Sequence, residues 1–206
     1  MTMGLEQVLE RSGELARADR HQENLALLTD ALGQHPDEPE VALRAAAAYH
    51  GEDDGQTERL ARHAVALAPD DPIVLTRAGF MMLDLGLTDQ ALEWSRHAQE
   101  RADADFPLVF DLVHLGGKIA LARDEPEVAE RLLRLAFANQ PETLGHGRYL
   151  AALLEAQSRD EEALEVVEEA LVHRPEDRDL DVRRIRLRFA LFGPESLPPG
   201  TEFSEN

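Results

Sequence analysis

The sequence predicts an all-α solenoid of about five helical hairpins closed by a C-terminal helix. Three observations carry that reading. The first is an internal repeat: Ala31, Ala64, Ala98, Ala136 and Ala170 stand 33, 34, 38 and 34 residues apart, a period typical of stacked repeat units. The second is punctuation. Five residues after four of these alanines comes a proline (Pro36, Pro69, Pro141, Pro175), each followed by an acid (Asp37, Asp70, Glu142, Glu176). The third is helical periodicity inside a copy: in residues 160–172, Ala163, Val166, Val167, Ala170 and Leu171 recur at i, i+3, i+4, i+7 and i+8, one stripe of an α-helix.

Further columns fall into the same register. Leu27, Leu60, Trp94, Leu132 and Val166 lie four residues before the alanines, and Asn24, Thr57, Ala91, Ala129 and Ala163 seven before. A second small set, Ser12, Ala45, Gly79, Gly117 and Ala151, stands twelve residues earlier still. Small side chains on both helices let the two backbones of a hairpin approach closely. In the last copy, residues 144–157 form the first helix, Ser158-Arg159-Asp160 the joint, and Pro175 the break into the next unit. One hairpin buries too little surface to stand alone, so neighbours must stack on it. The units fall near 5–36, 38–69, 72–105, 107–141 and 144–175, with a capping helix over 177–192, so that residues 1–192 form one solenoid. The third unit lacks its proline and carries about four extra residues around Arg101–Pro107, which predicts a lengthened helix or loop. Residues 193–206, GPESLPPGTEFSEN, have the composition of a disordered acidic tail.

Composition excludes several functions. The chain has 206 residues, 21 Lys and Arg against 41 Asp and Glu, and a formal charge of −20. DNA and anionic membranes are therefore disfavoured as partners over most of the surface. With no Cys there is no thiolate nucleophile, disulfide or thiolate metal site. No apolar run approaches the roughly 18–20 residues needed to span a bilayer, and the N-terminus lacks the basic and apolar regions of a signal peptide. These features predict a soluble cytoplasmic protein.

These residues resemble the tetratricopeptide-repeat family, whose units of about 34 residues carry a small residue on the first helix, alanines on the second and a terminal proline. Gly79, Ala91 and Ala98 match in the third unit, Gly117, Ala129, Ala136 and Pro141 in the fourth, and Ala151, Ala163, Ala170 and Pro175 in the fifth. The first two units depart from the pattern, with Asn24 and Thr57 in place of an alanine and Arg11 and Arg44 at a usually apolar position. The predominance of arginine, with Lys118 the one lysine, and the abundance of alanine fit a bacterial source.

The resemblance implies a right-handed solenoid whose concave groove is lined by first helices and holds a peptide or partner helix. Carried over, its groove positions are Tyr49 and His50, Arg77 and Phe80, His114 and Lys118, and Arg148 and Tyr149. Rings supply contact area at low entropy cost, and guanidinium groups grip carboxylates through paired bonds. The alternative is that Phe80, Tyr49 and Tyr149 fill the core between hairpins. Asn is absent from the positions at which family members clamp the C-terminal carboxylates of chaperones, so that activity is not expected.

Motifs for chemistry are missing. The eight histidines are scattered; His63 and His97 share a repeat column, but two side chains make an incomplete metal site. The Gly51–Gly55 turn lacks the spacing of an EF-hand loop. The Gly116-Gly117-Lys118 run has no preceding strand and no Walker spacing, and Gly145-His146-Gly147 lacks the rest of a dinucleotide fingerprint. Arg183, Arg184, Arg186 and Arg188 interleave with apolar residues; they either dock an acidic partner or an RNA backbone, or neutralise acids such as Glu165, Glu168 and Glu169. The expected function is that of a protein-binding adaptor or scaffold without catalysis or cofactor. Its client is a protein or peptide, neutral to basic overall with at most a local acidic anchor. A self-associating structural protein (a homo-oligomer), or a dedicated chaperone or non-catalytic subunit, is the alternative.

Overall fold

A computed structural model describes residues 3–103 and 105–196. Among these the structure is all α: eleven α-helices and a short 3₁₀ turn, with no strand. No helix is long and apolar enough to cross a membrane. The chain divides into two compact units, residues 1–123 and 124–206.

The first unit holds α1 (Leu5–Arg17), α2 (His21–Gln34), α3 (Pro39–Tyr49), α4 (Asp54–Leu67), α5 (Pro72–Asp84), α6 (Thr88–Arg101) and α7 (Val109–Ala122). α1 packs on α2, α3 on α4 and α5 on α6, and the first helices α3, α5 and α7 contact one another. The small columns explain the pairing. Ala45, Ala64, Ala91 and Ala98 are fully buried, and a Cβ added to Gly79 would sit 2.8 Å from Leu115 Cδ2. Pro39 and Pro72 open α3 and α5 at the first helical position, where a missing N–H costs nothing. The turns between hairpins repeat as well: Pro36 and Pro69 occupy turns closed by Glu38 N–H on His35 O (3.3 Å) and Asp71 N–H on Ala68 O (3.3 Å). The four extra residues of the third copy lie in the loop 102–108, because α6 keeps the same 14 residues as α4. Buried Phe106 ties that loop to the core.

The second unit holds α8 (Pro126–Asn139), α9 (Leu144–Ala156), α10 (Asp160–His173), α11 (Arg178–Phe192) and the turn Pro194–Ser196. α9 packs on α8 and α10, and α10 on α11. A Cβ on Gly147 would meet Ala170 Cβ at 3.0 Å and Phe137 Cε2 at 3.2 Å, so this glycine marks a close helix contact. Asp177 caps α11 by accepting the N–H groups of Asp179 and Leu180. The segment 183–189, whose alternation is also strand-like, is helical. Its arginines meet local acids: Arg183 and Arg186 share Glu155, Arg184 takes Asp181 and Arg188 takes Glu168. Only Glu168 belongs to the expected set; Glu155 comes from α9. Of the tail expected to be disordered, residues 197–206 lie outside the described residues.

The turns that follow α1, α5, α7 and α9 share a feature that the residue types conceal. Asp19, Gly86, Asp124 and Ser158 all have φ between 54° and 76°. In three of them the following N–H reaches back five residues: Arg20 to Leu15 O, Leu87 to Met82 O and Arg159 to Leu154 O, at 2.8–2.9 Å. This is the left-handed helix stop that glycine favours. A non-glycine residue in that conformation costs about 1 kcal/mol. Ser158 is exposed, so Ser158→Gly should raise the melting temperature by about 2 °C, read by circular dichroism.

An ion network ties α8 to α10. Arg159 bonds Glu130 (2.7 Å) and Glu162 (2.6 Å), and Arg134 bonds the same two acids (2.8 and 2.7 Å). The Arg159 guanidinium, helped by Arg134, brings the Glu162 carboxyl down to about 2. Glu130 is also held below its ordinary value, mainly by Arg159 and against the opposing effect of burial. Carboxyls more acidic in the folded than in the unfolded chain stabilise above the unfolded pKa, and lose that effect as pH falls through the folded value. The difference in melting temperature between wild type and Glu162→Gln should therefore shrink as pH is lowered from about 4.5 towards 2.

Candidate functional site

First helices build one concavity of the first unit. α1, α3 and α5 supply the walls, and the start of α2 closes one end, around a cavity of about 610 Å³. That size suits a side chain cluster or a small ligand. Ala16, Leu43, Ala47, Phe80 and Met81 form its apolar surface. Arg44 and Arg77 stand on neighbouring first helices and share one acid: Glu40 Oε1 accepts Arg44 Nε at 2.7 Å, and Glu40 Oε2 accepts Arg77 Nη1 at 2.6 Å. Arg44 also donates to the carbonyl of Leu9 at 2.6 Å, so it is held by the fold. Arg77 has no such tie, and its side chain is 45% exposed.

Two polar side chains sit low in the cavity. Ser12 and Asn24 occupy the small columns of the first hairpin, and both are buried. Asn24 Oδ1 has no hydrogen-bond partner. A buried amide oxygen left unbonded costs about 1–3 kcal/mol. Thr57, its counterpart in the next copy, is satisfied: its hydroxyl donates to the carbonyls of Ala46 and Asp53, each at 3.2 Å.

The expected groove residues separate into groups. His50, Arg77 and Phe80 line this cavity. Tyr49 does not: it lines a shallower depression with Leu25 and Thr29, its hydroxyl 3.2 Å from Thr29 Oγ1. Successive residues of a helix point about 100° apart, so Tyr49 and His50, at the end of α3, face different sides. His114 and Lys118 adjoin the cavity through Phe80 rather than lining it. His114 is buried with its ring centroid 5.8 Å from that of Phe80. Lys118 Nζ lies 5.4 Å above the Phe80 ring and 2.8 Å from Asp84 Oδ1, with its side chain 11% exposed. Both therefore position the Phe80 ring and offer little surface of their own.

Arg148 and Tyr149 belong to the second unit. Arg148 bonds Asp177 Oδ1 (2.5 Å) and Asp179 Oδ2 (3.0 Å), which ties α9 to the start of α11. Burial alone would push the Asp177 carboxyl up; the Arg148 guanidinium and the N–H groups of Leu180 and Asp179 outweigh it and hold the carboxyl below its ordinary value. Tyr149 is exposed.

The remaining motifs have structural roles. His63 bonds the carbonyl of Pro36 (2.9 Å) and His97 reaches Asp70 (3.2 Å), each at the turn between two hairpins. Asp53 caps α4. No group of three metal-ligating side chains occurs among the described residues. The residues that sequence reasoning missed are Arg44, Glu40, Ser12 and Asn24. For Arg44 and Asn24 the signal was present as departures from the repeat, an arginine at an apolar position and an asparagine in an alanine column; Ser12 fits its small column and Glu40 carries no such mark.

No protein-family model matches the sequence, and no curated protein matches it. Solved structures do match the fold. A thermophilic tetratricopeptide-repeat protein of Thermus thermophilus, TTC0263, superposes with a TM-score of 0.77 at 23% identity, over 88% of this chain and 97% of its own. The type IV pilus biogenesis factor PilW gives 0.74 at 17% identity, over 93% and 87%. PilF of Pseudomonas aeruginosa gives 0.70 at 14% identity, over 93% and 86%. The expected all-α repeat fold is thus the observed one.

The contrast between the two groove cations is testable by thermal melting of single variants. Lys118→Ala removes a cation–π contact and an ion pair whose lysine is shielded and whose aspartate is exposed, and should lower the melting temperature by a few degrees. Arg77→Ala removes an exposed pair worth at most about 1 kcal/mol and should leave it nearly unchanged.

Proposed function

We propose, from the tetratricopeptide-repeat fold, that the protein is an adaptor that holds a segment of a partner protein on its first-helix surface, without catalysis. The supporting observation is the cavity between α1, α3 and α5, which combines an apolar wall, the Phe80 ring and the exposed guanidinium of Arg77. Aromatic and arginine side chains of this kind are typical anchors of binding surfaces. Partner recognition in this reading is burial of apolar side chains against Ala16, Ala47 and Phe80, with a few charge-assisted bonds from the arginines. His50 and Arg77 contribute directly, and His114 and Lys118 contribute by fixing Phe80. Arg148 and Tyr149 are the corresponding candidates on the second unit.

The charge of −20 adds a condition on the partner. An acidic shell attracts basic proteins, leaves neutral ones unopposed and repels nucleic acid. A partner neutral to basic overall, with at most a local acidic anchor, fits both the shell and the arginines.

Affinity purification from the native host, followed by mass spectrometry, tests the reading. Wild type should retain one or a few stoichiometric proteins that Arg77→Ala, melting at the same temperature, loses. Equal recovery on both baits argues against a role for this surface.

A further inference from the structure

The last helix is apolar on two sides. Leu180 and Leu187, seven residues apart, are buried, and α11 packs on α10. A second stripe runs along α11 at spacings of three, four and three: Val182, Ile185, Phe189 and Phe192. At about 100° per residue it lies opposite the buried one. Val182 is 65% exposed, Phe189 42% and Phe192 60%. Such a spacing is the seam through which two helices pair.

Comparison with earlier copies shows what this stripe lacks. Val182 continues the column of Ala42, Thr76 and His114, all of them buried. Ile185 continues the column of Ala45, Gly79, Gly117 and Ala151, whose small side chains admit the second helix of the hairpin. A Cβ on Gly79, for instance, would lie 3.7 Å from Ala91 O of α6. An isoleucine in that column keeps a second helix from coming as close. Among the described residues none follows: Gly193, at φ 77°, ends α11, and Pro194–Ser196 form a short turn.

Charge identifies the occupant. Asp179 and Arg186 flank the stripe on one side, Asp181 and Arg188 on the other, and each acid stands seven residues before its arginine. The four side chains are between 42% and 77% exposed. When two copies of α11 lie side by side in opposite directions, each flank meets itself reversed. Asp179 then faces Arg186 of the second copy, and Asp181 faces Arg188 of the second copy. A uniformly acidic or basic helix would match only half of each flank, so the seam is complementary to itself. Exposed pairs add little binding energy; they set direction, and the apolar stripe supplies affinity.

We infer that α11 is a self-association surface, through which two copies of the chain pair by antiparallel α11 helices. The stripe offers roughly 350 Å² of apolar surface per copy, so a pair covers about 700 Å², less than the roughly 1,200 Å² of a stable complex. The dimer is accordingly weak, half formed at a concentration on the order of 100 μM. The charge of −20 on each copy opposes it at low ionic strength, but at physiological salt charges are screened beyond about 8 Å. This pairing goes beyond the adaptor reading and stands independently of it. A dimeric adaptor presents each partner surface twice.

Sedimentation equilibrium of the full chain at physiological salt, from about 10 μM to about 1 mM, tests the pairing. Wild type should move from 22.9 kDa towards twice that mass. Val182→Asp and Phe192→Asp alter exposed positions, so each should keep the wild-type melting temperature and weaken association at least about tenfold. Asp181→Arg alone and Arg188→Asp alone should each weaken it a few-fold, and an equimolar mixture of the two should regain it. A mixture of Asp181→Arg with Arg186→Asp should not, because antiparallel helices do not bring those positions together. Recovery in that second mixture overturns the antiparallel pair. Dimers that survive Val182→Asp and Phe192→Asp overturn the seam. A wild type that stays monomeric throughout overturns self-association and leaves the stripe to a different protein or to residues 197–206 of its own chain. None of these outcomes bears on partner capture through Arg77.

Discussion

The close approach of packed helices, within a hairpin as at Gly147 and between successive first helices as at Gly79, is the constraint on which the rest of the molecule depends. An added methyl at Gly79 would overlap Leu115, and one at Gly147 would press on Ala170 and Phe137. The Leu115 methyl is the tip of a flexible side chain and can turn aside, whereas Ala170 Cβ cannot, so the contact at Gly147 is the less forgiving of the two. Where the second helix of a hairpin comes this near, it covers one side of the first helix and leaves the other side bare. The bare sides of α1, α3 and α5 then form a wall. The cavity is a by-product of hairpin packing, and its chemistry is set by residues that the packing does not need.

That division explains how much of the molecule was legible in the sequence. Close packing is imposed on every copy, so its alanines and glycines recur and the period can be read. The prolines between hairpins recur for the same reason, each closing an equivalent turn. The left-handed residue that follows α1, α5, α7 and α9 recurs in backbone but not in residue type. Asp19, Gly86, Asp124 and Ser158 share a torsion angle and no side chain, so no column of letters reveals them. Site residues are harder again. Tyr49 and His50 are adjacent in sequence yet face different depressions, a distinction of one helical step at a helix end. Asn24 and Arg44 were visible as irregularities; that they meet in one cavity depends on how α1, α2 and α3 pack.

Arginine chemistry here is largely internal. Glu40 and Glu155 each hold two guanidinium groups, and Glu130 and Glu162 are shared by the same two. Each shared acid joins a helix of one hairpin to a helix of the next or to a turn. Acids outnumber bases 41 to 21, so every arginine can be neutralised with acid to spare. Such exposed pairs add little stability individually. Their effect is on surface chemistry: a basic patch such as 183–188 is already matched by Glu155, Asp181 and Glu168, and presents little attraction for an outside anion.

The loop 102–108 shows where this architecture tolerates change of length. Four extra residues between α6 and α7 leave α6 at its usual 14 residues, because Phe106 returns the chain to the core before α7 begins. The second helices α2, α4, α6, α8 and α10 all keep 14 residues, so length is held there and negotiable between hairpins. For protein engineering, that makes the stretch between Ala102 and Phe106 a natural splice point. A reporter peptide or fluorescent-label site inserted there would ride on the scaffold, with the cavity residues from Ser12 to Asp84 left in their own hairpins.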